Sequence, residues 1–223
     1  MPLSSAHPNP AQIQIDPSGQ WLLVTEKLTN LIDVYRIHGD GSLGLRTSFT
    51  STGLYPFGMA FNPAHPQQFI VDDGFGFAGS NGTGAVTSYR LSHGSVSLIN
   101  GPLPDFQLAP CWMVITHDGR FAYTSNPDSQ AISGLRIAAG GVISLLNANG
   151  LTASTPSDTF PLEESLSSDS HFLYVLDSRL LLKPQPGLAT LSGFQIHHDG
   201  SLISVVDPAQ ITLPFSAIGL AAE

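Results

Sequence analysis

Residues 110–146 alternate short apolar runs with turn residues. The apolar runs are CWMVI, FAYTS, AISGLRI and GVISLL, and they are separated by His-Asp-Gly (117–119), Asn-Pro-Asp (126–128) and Gly-Gly (140–141). Runs of this length, bounded by Gly, Pro, Asn and Asp, are typical of antiparallel strands and not of helices. The segment therefore predicts four consecutive strands joined by tight turns.

The same unit recurs along the chain. A proline opens the first strand of each copy, at Pro10, Pro56, Pro110 and Pro161. The second strand begins on an aromatic residue, at Trp21, Phe69, Phe121 and Phe172. Self-similarity at roughly 50 residues with four strands per unit is typical of β-propeller blades, with an evenly stranded β-sandwich as the alternative. We predict an all-β propeller with four-stranded antiparallel blades, of which about four are present.

The repeat divides the chain into a polar lead-in (1–9) and a single propeller domain (10–223). The expected blades cover residues 10–52, 53–106, 107–155 and 156–212, and residues 214–220 repeat the start of a blade as an extra inner strand. An inner strand alone leaves its edge hydrogen bonds unpaired. We therefore expect the propeller to be incomplete, with N-terminal blades missing, and open blade edges to offer a route to self-association.

Composition restricts the partners. The net charge is −9 and only 11% of residues are charged, so no basic face for nucleic acid is expected. The single cysteine, Cys111, excludes an internal disulfide. No apolar run approaches the roughly 18 residues that would span a membrane. No secretory signal is visible at the start, so the chain as it stands predicts a cytoplasmic protein.

Strand order sorts the polar residues between the two faces of the predicted propeller. Seven of the eight histidines fall in first-to-second or third-to-fourth turns, where His197-His198-Asp199 reads as a solvated turn more readily than as a metal site. The second-to-third loops and the starts of the inner strands meet on the opposite face. Their polar and aromatic residues include Glu26, Lys27, Asp72, Asp73, Asn126, Asp128, Asp177, Arg179, Phe57, Cys111, Trp112, Glu163 and Glu164.

This second group predicts a small-molecule pocket near the central channel. Lys27 and Arg179 are expected to hold an acidic group of the substrate, and Glu26, Asp73 and Glu163 are the candidates for general acid or base. The predicted substrate contacts are completed by Trp112, Asn126 and Asp177. The competing interpretation is that these are ordinary polar residues that satisfy the backbone of turns.

Three stretches carry a family resemblance: DPSGQWLLVTEKLTNLIDVYRIHGDGSLG, PFGMAFNP and CWMVITHDGRFAYTSN. They resemble the seven-bladed lactonase propellers, a family similar to bacterial 6-phosphogluconolactonase and fungal 3-carboxy-cis,cis-muconate cyclase. The resemblance covers residues 10–223 and would correspond to the last four blades and the closing strand. It implies hydrolysis or formation of a small carboxylated or phosphorylated lactone. The alternatives are a non-catalytic scaffold or ligand-binding propeller, and an incomplete relative without activity.

No cofactor or metal is expected. The family resembled is usually described without a metal, although Glu26, Asn126 and Asp177 occupy equivalent loops and carry oxygen ligands suited to Ca²⁺. Residues 74–79 fit the dinucleotide pattern G-x-G-x-x-G, but Ser-Asn-Gly-Thr-Gly follows and cannot open a helix. That stretch predicts a long mobile loop that lies over the pocket as a lid.

Overall fold

The computed structural model describes residues 2–179, 188–206, 212–214, 217 and 219–222. These residues form four antiparallel sheets whose strands pair in chain order. The predicted all-β propeller with about four four-stranded blades is confirmed. Residues 215, 216 and 218 of the predicted extra inner strand lie outside the described part of the chain, so that strand stays a prediction.

The first two blades have four strands each. Blade 1 contains β1 (Pro10–Ile15), β2 (Trp21–Glu26), β3 (Leu31–Arg36) and β4 (Thr47–Thr50). Blade 2 contains β5 (Pro56–Phe61), β6 (Gln68–Asp73), β7 (Ala85–Ser92) and β8 (Ser95–Pro104).

The other two blades each carry one additional short strand. Blade 3 contains β9 (Trp112–Ile115), β10 (Phe121–Asn126), β11 (Ala131–Ile137), β12 (Ile143–Leu145) and β13 (Ala153–Ser154). Blade 4 contains β14 (Phe160–Leu166), β15 (Phe172–Ser178), β16 (Ala189–Ile196), β17 (Leu202–Val206) and β18 (Thr212–Leu213).

The fourth strands depart from the repeat pattern. In blade 1 the predicted start at Gly41-Ser42-Leu43 makes only an isolated bridge, between Leu43 and Ile37, and β4 begins at Thr47. The Gly44 N–H bonds the Arg36 carbonyl oxygen at 2.8 Å, so the backbone pairing extends only one residue beyond that bridge. In blade 3 the outer edge is divided between β12 and β13, which both pair with β11. Outer strands have only one neighbour, so a repeat pattern constrains them less than the inner ones.

The hydrophobic core consists of layers between neighbouring blades. One layer joins blades 1 and 2 through residues such as Leu23, Ile32 and Phe69, all fully buried. A second layer joins blades 2 and 3, and a third packs Tyr123 of blade 3 against Leu173 of blade 4. Blades 2 and 3 each contribute to two layers, blade 2 through Phe69 and Ile70 and blade 3 through Ala122 and Tyr123.

The inner strands β1, β5, β9 and β14 contact one another in order around the channel. We call the end that carries the second-to-third loops and the connections between blades the mouth face. The end that carries the first-to-second and third-to-fourth turns is the turn face. No helix in the described residues is long and apolar enough to cross a membrane.

Candidate functional site

Four aromatic rings form a continuous shelf on the mouth face. Trp112 meets Phe57 edge-on with ring centroids 5.3 Å apart, and Phe57 lies 6.4 Å from Tyr55. Tyr55 in turn packs against Phe75 at 4.3 Å. We call Phe57 and Trp112 the inner shelf, because both belong to inner strands, and Tyr55 and Phe75 the outer shelf. Such a surface offers apolar area to a flat ligand.

Lys27 places its ammonium group over this shelf. Its Nζ lies 4.3 Å from the ring centroid of Phe57 and 5.6 Å from that of Tyr55. None of the ion pairs in the described residues includes Lys27. Burial lowers the pKa of its half-buried side chain, because removal of water disfavours the charged form. A cation that lacks a carboxylate partner and faces aromatic rings is suited to hold an anion.

Backbone contacts explain why Lys27 and Phe57 meet. The Lys27 N–H bonds the Asn9 carbonyl oxygen at 3.1 Å, which anchors the loop after β2 to the lead-in segment. The Thr25 hydroxyl donates to the Phe57 carbonyl oxygen at 2.6 Å and joins blade 1 to the inner strand of blade 2. The predicted substrate-binding residues Lys27 and Trp112 are thus both brought to the shelf, through Phe57.

Glu163 is a half-buried carboxylate in the middle of β14, the inner strand of blade 4. Burial raises its pKa above the ordinary glutamate value. The adjacent Glu164 is only 5% exposed and neither carboxyl oxygen has a hydrogen-bond partner among the described residues. Burial, and then the charges of Asp72 and Glu163, raise the pKa of Glu164 well above its usual range. Glu163 is thus the more accessible of the two carboxyls, and burial raises the pKa of both.

The charge of Asp72 acts on both Cys111 and Glu164, and that of Lys27 acts on Cys111. Asp72 is fully buried, and its carboxyl oxygens have no hydrogen-bond partner in the described part of the chain. Burial raises its pKa well above the ordinary value. Burial also raises the pKa of Cys111 to about 12, and the charges of Asp72 and Asp128 act in the same direction while Lys27 opposes them. The thiol is therefore neutral and does not serve as a nucleophile at ordinary pH.

Each second strand carries a buried acid or amide as its last or next-to-last residue, and we call the contacts of this residue the blade joint. Its acid or amide residues are Glu26, Asp73, Asn126 and Asp177, all fully buried. The expectation that they lie in open second-to-third loops is corrected: all four are strand residues, covered by the neighbouring strand and connector. Their assignment as catalytic or substrate-binding residues stays a prediction.

A hydroxyl group takes part in the hydrogen bonds of each joint. Asp73 accepts from Thr87 of its own blade and from Ser51, at 3.4 Å, of the preceding connection. Asp177 accepts from Ser192. In blade 3 the second strand supplies an amide, Asn126, and the connection before the blade supplies the acid, Asp105. Asn126 donates to Ser133 at 2.9 Å, and Ser133 donates to Asp105 at 3.3 Å.

Glu26 completes the series in blade 1. The lead-in segment covers it, with the Ser4 N–H at 2.9 Å and the Ser4 hydroxyl both on its carboxylate. Burial favours the neutral acid, but the hydrogen bonds from Ser4 and Thr29 outweigh it and hold the pKa of Glu26 below its usual value. Residues 2–9 thus contact blade 1 as the other connections contact blades 2 and 3. The hydrogen bonds to the Glu26 carboxylate thus come from Ser4 and Thr29, and not from a residue of the shelf.

Arg179 is the remaining predicted substrate-binding residue. Arg179 follows β15, is partly buried, and has an Nε without a hydrogen-bond partner among the described residues. No group of three or more His, Cys, Asp and Glu side chains in the described residues is arranged to hold a metal ion. Glu26, Asn126 and Asp177, the residues weighed for Ca²⁺, bond within three separate joints.

On the turn face, clefts of about 640 and 410 Å³ lie between blades 1 and 2 and between blades 3 and 4, and a cleft of about 250 Å³ is lined by residues of blade 2. The histidines that line them are His65, His93, His117, His171, His197 and His198. Arg36 and Arg136 lie on this face over the rings of Trp21 and Phe121, at 5.3 and 5.0 Å from the centroids. Arg136 also reaches the Asp199 carbonyl oxygen of blade 4, which agrees with a structural role between blades.

Sequence reasoning missed the outer shelf. Tyr55 stands just before β5 and Phe75 just after β6, where no apolar periodicity marks them. The available signal was their proximity to two loops already assigned to the mouth face. The predicted lid over residues 74–84 corresponds to the loop that holds Phe75 against Tyr55. No helix follows it, since β7 begins at Ala85.

Residues 2–72 match the model of the "Lactonase, 7-bladed beta-propeller" family. A protein of Lactobacillus plantarum has a similar structure, with 21% identity, a TM-score of 0.67 and coverage of 92% of this chain and 57% of its own. A protein described as a candidate 6-phosphogluconolactonase of Bacteroides uniformis is 13% identical, with a TM-score of 0.71 and coverage of 92% and 55%. The periplasmic gluconolactonase of Pseudomonas aeruginosa is 18% identical, with a TM-score of 0.62 and coverage of 88% and 56%.

These similarities confirm the resemblance inferred from the sequence, directly over residues 2–72 and as a shared fold over most of the chain. No curated protein sequence matches the chain significantly. The chain spans a little over half the length of the solved structures it resembles, between 55% and 57% in these three. Likeness to the muconate cyclases in particular, and the expectation of a fragment, stay predictions.

Proposed function

We propose that the mouth face belongs to a lactonase-like hydrolase that acts on a small lactone carrying an acidic group. The observation that carries the proposal is the Lys27 ammonium, which has no ion-pair partner in the described residues and lies 4.3 Å from the Phe57 ring centroid. The match of residues 2–72 to the lactonase propellers supports the reaction class.

In the proposed reaction, Lys27 binds the acidic group and the inner shelf holds the lactone ring. Glu163 accepts a proton from a water molecule as that water attacks the lactone carbonyl carbon. The tetrahedral intermediate collapses with cleavage of the ring C–O ester bond, and the leaving alkoxide takes the proton back from Glu163. The product is the open hydroxy acid, with one water added and no other reactant consumed. A raised pKa suits Glu163 to both proton transfers.

A ligand-binding module without catalysis is the second candidate. Two of the three predicted acid–base residues, Glu26 and Asp73, are fully buried and hydrogen-bonded within blade joints. That leaves Glu163 alone with solvent access. A binding module needs only Lys27 and the shelf and has no use for a carboxylate beside the lactone. Substitution of Glu163 therefore separates the two candidates, because it should affect the hydrolase and not the binding module.

We expect Glu163→Gln to lower kcat on a responsive lactone by about 100-fold or more, the usual contribution of a general base. Lys27→Met should mainly raise KM, because it removes binding of the acidic group. The measurement is initial-rate hydrolysis over a panel of carboxylated and phosphorylated lactones. Because burial raises the pKa of Glu163, activity should fall on the acid side at a higher pH than for an ordinary glutamate.

Asp169→Asn is the matched control, because Asp169 is an exposed carboxylate on the turn face. Its kcat and KM should equal those of the parent protein. Turnover that survives in both Glu163→Gln and Lys27→Met would place the activity elsewhere. Ligand binding with no turnover in the parent protein would favour the binding module.

A further inference from the structure

The aromatic shelf extends beyond the position where a small lactone ring would react. Phe75 is 55% exposed although it packs against Tyr55 at 4.3 Å between centroids. Through Tyr55, the ring of Phe75 continues the aromatic surface that Lys27 overlies, and aromatic surfaces with a few placed polar groups are typical of ligand sites. A single small lactone ring on the inner shelf would leave the exposed ring of Phe75 in water. The outer shelf therefore has capacity that the proposed reaction does not use.

Tyr55 is held in a strained backbone conformation. Its φ of 63° lies in the left-handed region, which is a genuine outlier for a bulky residue. The Asn30 side-chain oxygen accepts from the Tyr55 N–H at 2.9 Å, and the Gly74 N–H donates to the Tyr55 carbonyl oxygen at 3.1 Å. Strain that surrounding contacts maintain is often found at ligand sites. Here it aims the ring at Phe75 and Lys27.

The loop that carries Phe75 is fixed at its base. The Phe75 N–H bonds the Leu54 carbonyl oxygen at 3.2 Å, and the Leu54 N–H bonds the Gly76 carbonyl oxygen at 2.7 Å. These two bonds attach Phe75 to the segment that carries Tyr55. The outer shelf is thus preorganised, which lowers the entropy that a ligand loses on binding.

The charge around the mouth favours a singly charged ligand. The charges that act on Cys111, at the base of this face, are two carboxyls, Asp72 and Asp128, and one cation, Lys27. A single ammonium can neutralise one carboxylate. In the described residues, Lys27 is the cation that lies over the rings of this shelf. A phosphate ester is best held by several cations or by bidentate arginine, so its second charge would lack a partner over the shelf.

We infer that the ligand is a monocarboxylate with an aryl or similarly flat apolar substituent. Its carboxylate binds Lys27, which lies between the two shelves, and its substituent stacks on Tyr55 and Phe75. The inference rests on the proposed function only in taking the bound molecule to be a lactone. Recognition of the aryl carboxylate is independent of turnover and can be measured alone.

The test is ligand binding followed by the fluorescence of Trp112. The chain has two tryptophans, and Trp21 lies on the turn face, so Trp21→Phe leaves Trp112 as the only reporter. We expect phenylacetate to bind at least about 10-fold more tightly than acetate or benzyl alcohol, since it alone engages both the cation and the outer shelf. The doubly charged 6-phosphogluconate should bind more weakly than phenylacetate.

Substitutions then locate the contacts. Phe75→Ala should weaken phenylacetate about 10-fold and leave acetate unchanged, while Lys27→Met should weaken both carboxylates. Tyr55→Phe keeps the ring and should bind phenylacetate normally, whereas Tyr55→Leu should not. Thermal unfolding followed by circular dichroism shows whether each variant is folded. Arg36→Met removes a cation that also lies over an aromatic ring, but on the turn face, and should change nothing.

Tighter binding of 6-phosphogluconate than of phenylacetate would overturn the inference, as would unchanged phenylacetate binding in folded Phe75→Ala. Its failure is distinguishable from failure of the proposed function. Aryl carboxylate binding without turnover of any lactone removes the hydrolysis and keeps the inference. Turnover of sugar lactones with no preference for aryl substituents keeps the hydrolysis and removes the inference.

Discussion

We expect the free energy of unfolding to fall as pH rises from about 4 to about 8, and Asp177→Asn to remove much of that fall. Burial raises the pKa of Asp177 from 3.8 to about 7, with the Ser192 and Thr155 hydroxyls opposing the shift. The folded state therefore keeps a proton that the unfolded chain has released. The stability from this group is complete below the unfolded pKa and is lost as pH rises through the folded pKa. Three pKa units correspond to about 4 kcal/mol.

The same chain supplies the precedent for the substitution. Asn126 occupies the position of Asp177 in the blade 3 joint, where its amide donates to Ser133, whereas Asp177 accepts from Ser192. Asparagine at position 177 keeps an acceptor for Ser192 and has no charge to bury. We expect Asp177→Asn to be more stable than the parent protein by about 2–4 kcal/mol at pH 8 and similar to it at pH 4. Urea unfolding at both pH values measures the difference.

Asp105 should also make the free energy of unfolding fall as pH rises, because burial raises its pKa to about 6. Asp169→Asn serves as the control of opposite sign. Its carboxylate is exposed, and bonds from Ser167 and His171 lower its pKa. Its loss should cost a little stability at pH 8 and nothing at low pH. A stability that is constant between pH 4 and 8, or an Asp177→Asn variant less stable than the parent at pH 8, would contradict the assignment.

Gly150→Ala is expected to destabilise the protein by more than about 3 kcal/mol, combining steric overlap with left-handed backbone strain. A Cβ on Gly150 would stand 1.5 Å from the Asp105 carbonyl oxygen, and its φ is +77°. The contact is with backbone, so no side-chain rotation relieves it. Because Asp105 belongs to the blade 3 joint, we also expect its hydrogen bond with Ser133 to be disturbed.

Gly140→Ala is the matched control. It lies ten residues earlier in the same blade, has no atom within 4 Å of its ideal Cβ position and carries no positive φ. We expect its unfolding midpoint in urea to stay within experimental error of the parent value, while the midpoint of Gly150→Ala falls sharply or the variant fails to fold. Equal midpoints for the two variants would show that the turn at Gly150 can move away from Asp105.

The candidate site divides into residues that local pattern located and residues that it misplaced. Lys27 and Trp112 were assigned to one face from strand order, and they meet there through Phe57. Glu26, Asp73 and Asp177 were expected on open loops but are the buried ends of strands. A polar residue at a strand end has the same sequence appearance whether a neighbouring connection covers it or not. Only the contacts from Ser4, Ser51 and Ser192 distinguish the two cases.

The sequence by itself determined the all-β class, the succession of four-stranded blades and the face to which each loop belongs. These properties follow from alternation, turn residues and repeat spacing, which are encoded within a few tens of residues. The tertiary structure alone decided which carboxyls are buried, how the joints pair and that Tyr55 and Phe75 extend the shelf. Such outcomes depend on contacts between blades, where residues about 50 positions apart along the repeat become neighbours. Burial by a neighbouring blade leaves no periodic signal in the residue that it covers.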